Sequence, residues 1–86
     1  MGAFVLNKIK NIKIYTTNWC VYCVLAKRYF DENGIAYEEI NIEKEGISRE
    51  EMMKLTKGYS VPQIIINGSP IGGYDSLMKI MSMNKD

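Results

Sequence analysis

The pattern of polar and apolar positions predicts a strand followed by a helix near the start of the chain. Residues 11–15 alternate polar and apolar side chains, as a half-buried strand does. Apolar residues then recur at helical spacing, and Asn33-Gly34 is typical of a helix C-terminus. The apolar positions of this helix are Val24, Leu25, Ala26, Tyr29 and Phe30. The cysteines Cys20 and Cys23 therefore lie where the strand passes into the helix.

A second strand and a second helix are predicted next. Residues 35–42 form the strand, and its apolar positions are Tyr37, Ile40 and Ile42. Strand, helix and strand in this order imply a parallel pair joined by a right-handed crossover. The Ser-Arg-Glu-Glu sequence of residues 48–51 is a capping box that opens a helix, which residues 57–58 end. Its apolar positions are Met52, Leu55 and Thr56.

The last third of the chain predicts a hairpin and a final helix. Gln63–Ile66 is rich in β-branched residues, and Asn67-Gly68 is a strong hairpin-turn sequence before Ile71 of the returning strand. Residues 72–73 are both glycine and break that strand.

The final helix is predicted to have Asp75 or Ser76 as its N-cap. Its inward positions are Leu77, Met78, Ile80 and Met81. The element order is then β-α-β-α-β-β-α. This order predicts an α/β fold, a four-stranded mixed sheet covered by three helices, in a single domain over residues 1–86.

Composition excludes several functional classes. A formal charge of +1 and a pI near 7.7 give no electrostatic reason to expect a nucleic-acid or acidic-membrane partner. No apolar run approaches the length of a membrane span. Residues 1–6 are too short for a signal peptide and lack a basic start. We therefore expect a cytoplasmic protein, in which a close cysteine pair is more often catalytic or metal-binding than structural.

The position of the cysteines favours redox chemistry over metal binding. Cys20 is expected at or just before a helix N-terminus, where unpaired N–H groups and the helix dipole favour a thiolate. The chain has two cysteines and no histidine, so one chain cannot supply a complete Cys/His zinc site. Trp19 is placed either against the sheet edge or beside the substrate site, and the sequence does not decide between them.

Three motifs in the same order resemble the glutaredoxin family of the thioredoxin-like superfamily. Residues 15–23 contain Tyr-Thr and then Cys-Val-Tyr-Cys, similar to the family's Cys-Pro-Tyr-Cys site. Residues 60–64 resemble its Thr-Val-Pro segment, in which the proline is cis, and residues 71–77 resemble its Gly-Gly segment before the last helix. The resemblance extends from about residue 12 to the last helix and implies a thioredoxin-like fold.

The resemblance assigns roles to particular residues. Cys20 is implied to be the nucleophile and Cys23 the more buried resolving thiol. The residues implied to bind glutathione are Tyr22, Arg49, Ser60, Val61, Pro62, Gly73, Tyr74 and Asp75. Val61, held by cis Pro62, would offer its backbone to the cysteinyl part of glutathione as a strand does.

The two ends of glutathione are assigned to different parts of the chain. Arg49 lies where the family has a residue for the glycine carboxylate, and a solvated position in the first helical turn is the alternative for it. Tyr74 and Asp75 would present N–H groups at a helix N-terminus to the γ-glutamyl carboxylate. For Asp75 the alternative is a helix cap alone.

The resemblance thus implies a glutathione-dependent dithiol–disulfide oxidoreductase, a monomer that reduces protein disulfides and glutathione mixed disulfides. Two alternatives remain open because Val21 replaces the family's proline and Trp19 precedes Cys20. One is an electron donor, for example to ribonucleotide reductase, that a thioredoxin reductase reduces. The other is a dimer that holds an iron–sulfur cluster through one cysteine per subunit and bound glutathione.

Overall fold

The computed structural model describes residues 10–83. The elements in chain order are β1 (Ile12–Thr16), α1 (Val21–Glu32), β2 (Glu38–Asn41), α2 (Arg49–Thr56), β3 (Gln63–Ile66), β4 (Ser69–Gly72) and α3 (Tyr74–Met83). This is the predicted order, with β2 shorter than the predicted residues 35–42. Residues 35–37 lie outside the sheet, although Ile35 and Tyr37 still pack against the core.

The four strands form one mixed sheet in the order β2-β1-β3-β4. β1 and β2 pair in parallel through the α1 crossover, whereas β1 with β3 and β3 with β4 pair antiparallel. Asn67 and Gly68 both have positive φ, of 50° and 84°, as the predicted hairpin turn requires. β1 is therefore an interior strand of the sheet. The loop that follows its C-terminal end leaves the sheet between the ends of its neighbours β2 and β3.

The larger half of the core lies between the sheet and the pair α1 and α3. Alternation in β1 and β3 turns Ile12, Ile14, Ile64 and Ile66 to this face, where they meet Phe30 from α1. The other fully or nearly buried members are Ala26, Leu77 and Met81. This packing fixes the N-terminus of α1 over the end of β1.

The opposite face of the sheet is covered by α2. Met52 of α2 is buried against Tyr15, Ile40 and Ile42. The predicted capping box is present: Ser48 Oγ accepts from the Glu51 N–H at 3.0 Å, and the Glu51 carboxylate accepts from the Ser48 N–H at 2.8 Å.

Two of the apolar helix positions named from the sequence are exposed. Leu55 of α2 is 56% exposed, because Met52 and Thr56 already form the buried side of this eight-residue helix. Val24 of α1 is 50% exposed, whereas Ala26 and Phe30 are buried. Helical spacing fixes the relative angles of the side chains, but not which side the sheet covers.

The predicted N-cap of α3 is wrong. The helix begins at Tyr74, and the Leu77 N–H donates to the Gly73 carbonyl oxygen at 3.0 Å, so the first turn closes on Gly73. Asp75 and Ser76 consequently lie inside the first turn. This shift places the N-terminus of α3 directly after the second glycine of the Gly-Gly pair.

None of the helices formed by residues 10–83 has the length and apolar character needed to cross a bilayer. Residues 1–6, on which the signal-peptide prediction depends, lie outside the described residues.

Candidate active site

The two cysteines lie at the junction of β1 and α1, as predicted, and are joined by a disulfide with a Cα–Cα distance of 5.2 Å. Cys20 is the N-cap of α1, and Cys23 lies within its first turn. Cys20 is partly exposed, whereas only 1% of Cys23 is exposed. An incoming sulfur therefore has access to Cys20, and Cys23 can be reached chiefly through Cys20.

The start of α1 provides a favourable setting for negative charge on Cys20. The N–H of Cys23 donates to Cys20 Sγ at 3.1 Å, and the helix continues with the Val24 N–H donating to the Cys20 carbonyl oxygen at 3.2 Å. The first N–H groups of a helix have no intrahelical acceptor and carry its positive dipole end. These groups stabilise a thiolate at Cys20 once the disulfide is reduced.

A cleft of about 380 Å³ opens beside this junction, within the size range of small-molecule sites. Its lining comes from α1, from the loop before β3 and from the start of α3. The lining residues are Tyr22, Ser60, Val61, Pro62, Gly73, Tyr74, Asp75 and Ser76. Tyr22 links the cleft to the cysteine pair, because it stands between Cys20 and Cys23.

The two walls of the cleft are held close together. The Val61–Pro62 peptide bond is cis. A Cβ on Gly73 would lie 3.3 Å from the Pro62 carbonyl oxygen, so glycine permits the close approach of α3 to this loop. The rings of Tyr22 and Tyr74 lie with centroids 5.9 Å apart. The cleft is therefore a pre-formed groove with an aromatic side and a backbone side.

A buried amide supports the loop that forms the backbone side. Gln63 is 5% exposed, and its Nε2 donates to the Ser60 carbonyl oxygen at 2.8 Å. A side chain on Gly58 would overlap the Gln63 amide, so glycine at that position leaves room for it. Gln63 was predicted only as part of a strand, and a polar residue that starts an otherwise apolar strand is the feature that could have indicated this role.

Seven of the eight residues implied for glutathione line the cleft, and Arg49 is not among the lining residues. The Arg49 side chain is exposed, and its Nη1 donates to the Tyr59 carbonyl oxygen at 3.0 Å. Tyr59 directly precedes Ser60, so Arg49 contacts the loop at the edge of the cleft. Ser76 also lines the cleft, although the residues implied to bind glutathione included its neighbour Asp75 and not Ser76.

A polar network lies behind the cysteine loop at the end of β1. The buried Thr16 donates from Oγ1 to Glu39 Oε2 at 2.7 Å, and Lys27 Nζ lies 3.0 Å from the same oxygen. Burial opposes the charge of Glu39, but the hydrogen bonds from Thr16 and Lys27 outweigh it and lower the pKa of the carboxyl below its ordinary value of 4.5. This network ties α1 to β2.

Within residues 10–83, no three His, Cys, Asp or Glu side chains are grouped so as to hold a metal ion. Cys20 and Cys23 are the chain's two cysteines. One chain thus offers a dithiol at this site.

Comparison with known proteins shows the family of the chain. The glutaredoxin family model matches residues 12–71. The chain is 40% identical over 67 residues to Glutaredoxin 3 of Escherichia coli strain K12, covering 78% of this chain and 81% of that relative. It is 36% identical over 66 residues to a glutaredoxin of Pseudomonas aeruginosa, covering 77% of this chain and 79% of the relative.

The fold is similar to that of the buckwheat glutaredoxin–glutathione complex, with a TM-score of 0.76 and 28% identity. The superposition covers 86% of this chain and 70% of the buckwheat chain. The thioredoxin-like fold predicted from the sequence is thereby confirmed. The chain belongs to the glutaredoxin family of thiol–disulfide oxidoreductases.

Proposed function

We propose that this protein reduces glutathione mixed disulfides and protein disulfides with electrons from glutathione, which binds in the cleft beside Cys20. The observation that carries the proposal is the difference in exposure between the paired sulfurs at the helix N-terminus: Cys20 is partly exposed and Cys23 is 1% exposed. This favours Cys20 as the attacking thiol and Cys23 as the resolving thiol.

The lining of the cleft suits a short peptide with charged ends. In the proposed complex, the Val61 backbone pairs with the cysteinyl part of glutathione, and Tyr22 lies along it. The first N–H groups of α3, at Tyr74 and Asp75, have no intrahelical acceptor and would receive the γ-glutamyl carboxylate. The Asp75 carboxylate carries the charge that attracts the amino group beside it. That the similar buckwheat protein was crystallised with glutathione supports this choice of ligand.

Arg49 is proposed to attract the glycine carboxylate from the edge of the cleft. Its guanidinium has five N–H donors, and the bond to the Tyr59 carbonyl oxygen uses one of them. Arg49 thus keeps donors for a carboxylate that reaches past Ser60.

The proposed reaction consists of successive thiol–disulfide exchanges. The Cys20 thiolate attacks one sulfur of the substrate disulfide, forming a mixed disulfide and releasing the other sulfur as a thiolate, which takes up a proton. With a protein disulfide, Cys23 then attacks Cys20 Sγ, releases the substrate's second thiol and leaves the Cys20–Cys23 disulfide. Two glutathione molecules reduce this disulfide and leave as oxidised glutathione, so two electrons pass from glutathione to the substrate.

The proposed setting is the cytoplasm, where glutathione and thioredoxin keep thiols reduced and a cysteine pair can cycle. Its partners there are glutathione and proteins that carry disulfides. Ribonucleotide reductase as an electron acceptor and thioredoxin reductase as an electron donor stay sequence-based predictions, as does the cluster-bridged dimer.

Reduction of hydroxyethyl disulfide with glutathione as the electron source, coupled to glutathione reductase and NADPH, tests the proposal. We expect turnover that is lost in Cys20→Ser. Absence of turnover in a folded protein that dithiothreitol can reduce would contradict glutathione dependence. Turnover with thioredoxin reductase and NADPH instead would indicate the electron-donor alternative, and visible absorbance of protein purified without oxygen would indicate the cluster.

A further inference from the structure

Three apolar side chains near Cys20 are exposed and do not line the cleft. Trp19 is 96% exposed, Val21 is 73% exposed and Val24 is 50% exposed. Large apolar side chains that gather on a surface commonly mark an interaction site, and tryptophan is enriched at the energetic centres of interfaces. We refer to Trp19, Val21 and Val24 as the apolar face.

The apolar face adjoins Cys20. Trp19 and Val21 are the chain neighbours of Cys20, and Val24 lies one helical turn after it. The buried side of α1 is formed by Cys23, Ala26 and Phe30 instead. The apolar face therefore lies on the solvent side of the helix, next to Cys20.

A set of hydrogen bonds fixes the loop that carries Trp19. The N–H of Asn18 donates to Glu43 Oε1 at 2.8 Å, and Asn41 Nδ2 donates to Asn18 Oδ1 at 2.9 Å. Asn41 Oδ1 in turn accepts from the N–H groups of Glu43 and Lys44 at 3.0 and 3.1 Å. Because the next residue after Trp19 is the N-cap of α1, its backbone is held on both sides, and the indole is presented at a fixed place.

We propose that the apolar face binds the apolar residues that flank the disulfide of a protein substrate, and that Asn18, Asn41 and Glu43 position Trp19 for this contact. An extended chain advances about 3.3 Å per residue, so the first two residues beside the attacked cysteine lie within about 7 Å of it along the substrate. They fall on the apolar face, whose three side chains carry no charge. The inference rests on the proposed function, since it concerns the protein substrate of the same Cys20.

The fluorescence of Trp19 reports on this contact directly, because the chain contains one tryptophan. The experiment uses Cys23→Ser, in which Cys20 is not resolved, and two peptides of equal length whose cysteine is a mixed disulfide with thionitrobenzoate. Leucines flank the cysteine in one peptide and serines flank it in the other. Cys20 attacks the peptide sulfur, forms the Cys20–peptide disulfide and releases coloured thionitrobenzoate with the electron pair of the broken bond.

We expect the leucine peptide to shift Trp19 emission to shorter wavelength and to protect it from acrylamide, and the serine peptide to leave both unchanged. If both peptides are trapped with the same Trp19 emission, the inference is overturned while the role of Cys20 stands. If Cys20 forms a mixed disulfide with neither peptide nor with oxidised glutathione, the proposed function is wrong, and the inference that rests on it is wrong as well.

Kinetics with the full dithiol site provide a second readout. The ratio of kcat/KM for the leucine peptide disulfide to that for the serine peptide disulfide measures apolar recognition. We expect Val24→Ser to lower this ratio about fivefold, mainly through KM. The reason is that the leucine peptide would bury the exposed half of the Val24 side chain, and serine cannot replace that apolar contact. Leu55→Ser, an equally exposed change on α2, should leave the ratio unchanged. An unchanged ratio in Val24→Ser would contradict the inference.

The positioning role is tested in the same assay. Glu43→Ala removes the acceptor of the Asn18 N–H, whereas Glu43→Gln keeps an acceptor oxygen. We expect the ratio to fall in Glu43→Ala and to be restored in Glu43→Gln. Equal ratios in the two variants would show that the Asn18–Glu43 hydrogen bond does not position Trp19.

Discussion

The backbone N–H of Cys23 donates a hydrogen bond to Sγ of Cys20 over 3.1 Å, so the amide of one cysteine helps to hold the sulfur of the other. Both residues owe this geometry to the start of α1, where Cys20 is the N-cap and Cys23 the third helical residue. A thiolate at Cys20 would replace a neutral acceptor with a charged one and strengthen this bond.

The first prediction separates the roles of the two cysteines. Cys23→Ser keeps the Cys23 backbone N–H and should retain reduction of glutathione mixed disulfides, while reduction of protein disulfides falls to the background rate because the resolving sulfur is missing. Cys20→Ser should abolish both reactions. Hydroxyethyl disulfide and insulin reduction measure the two activities. Full insulin reduction by Cys23→Ser would contradict the resolving role.

The second prediction concerns the support of the cleft by Gln63. Gln63→Leu keeps the volume of the side chain but leaves the Ser60 carbonyl oxygen without the amide that contacts it at 2.8 Å. We expect KM for glutathione to rise about fivefold with little change in kcat, since loss of a partly buried hydrogen bond costs about 1 kcal/mol.

Leu55→Ser, which changes an exposed side chain outside the cleft lining, is the control for Gln63→Leu. Steady-state kinetics with glutathione as the varied substrate provide the measurement. If KM is the same in Gln63→Leu and in the control, Gln63 does not support the binding loop.

The third prediction tests the core that fixes α1. Phe30 is fully buried between α1 and the sheet and contacts the ring of Tyr37 with centroids 5.3 Å apart. Phe30→Ala should lower the free energy of unfolding by about 3–5 kcal/mol, and Phe30→Leu by about 1 kcal/mol, because the smaller change leaves a smaller cavity. Urea unfolding of the oxidised protein measures both. Equal stability of the two variants would show that the core refills the space.

The fourth prediction follows from the lowered pKa of Glu39. A carboxyl whose pKa is lower in the folded than in the unfolded chain stabilises the fold at pH values above its ordinary pKa of 4.5. This contribution is lost as the pH falls through the pKa of the folded state. Glu39→Gln should therefore lower the free energy of unfolding at pH 7, by about 0.5 kcal/mol for a partly exposed group, and should lower it less at pH 3. Urea unfolding at both values tests this, and an equal loss at pH 7 and pH 3 would contradict it.

The sequence predicted the fold well because local patterns and tertiary packing agree over most of the chain. The hairpin turn at residues 67–68, the capping box at residues 48–51 and the C-cap at Asn33 each depend on a few adjacent residues, and all three are confirmed. The side of each helix that becomes buried depends on the sheet, which is assembled from distant strands. This is why the helical spacing of Leu55 and Val24 did not show that both side chains are exposed.

The candidate site was predictable to the extent that its residues lie in motifs. The cysteines and the residues around Pro62 and Gly73 could be assigned from short sequences with a known geometry. Gln63 acts through a side-chain contact that no spacing reveals. Ser76 lines the cleft from inside the first turn of α3, which begins two or three residues earlier than an N-cap at Asp75 or Ser76 would give. Trp19 could not be placed until its exposure was known.

The measurement that tests the central claim most directly is the backbone amide spectrum of Cys23→Ser before and after Cys20 is converted to its glutathione mixed disulfide. The account predicts chemical-shift changes at Val61, Tyr74 and Asp75, which line the cleft on elements far from Cys20 in sequence. Changes confined to the residues next to Cys20, with Val61 and Tyr74 unmoved, would contradict it, because glutathione would then be attached to the sulfur without binding in the cleft.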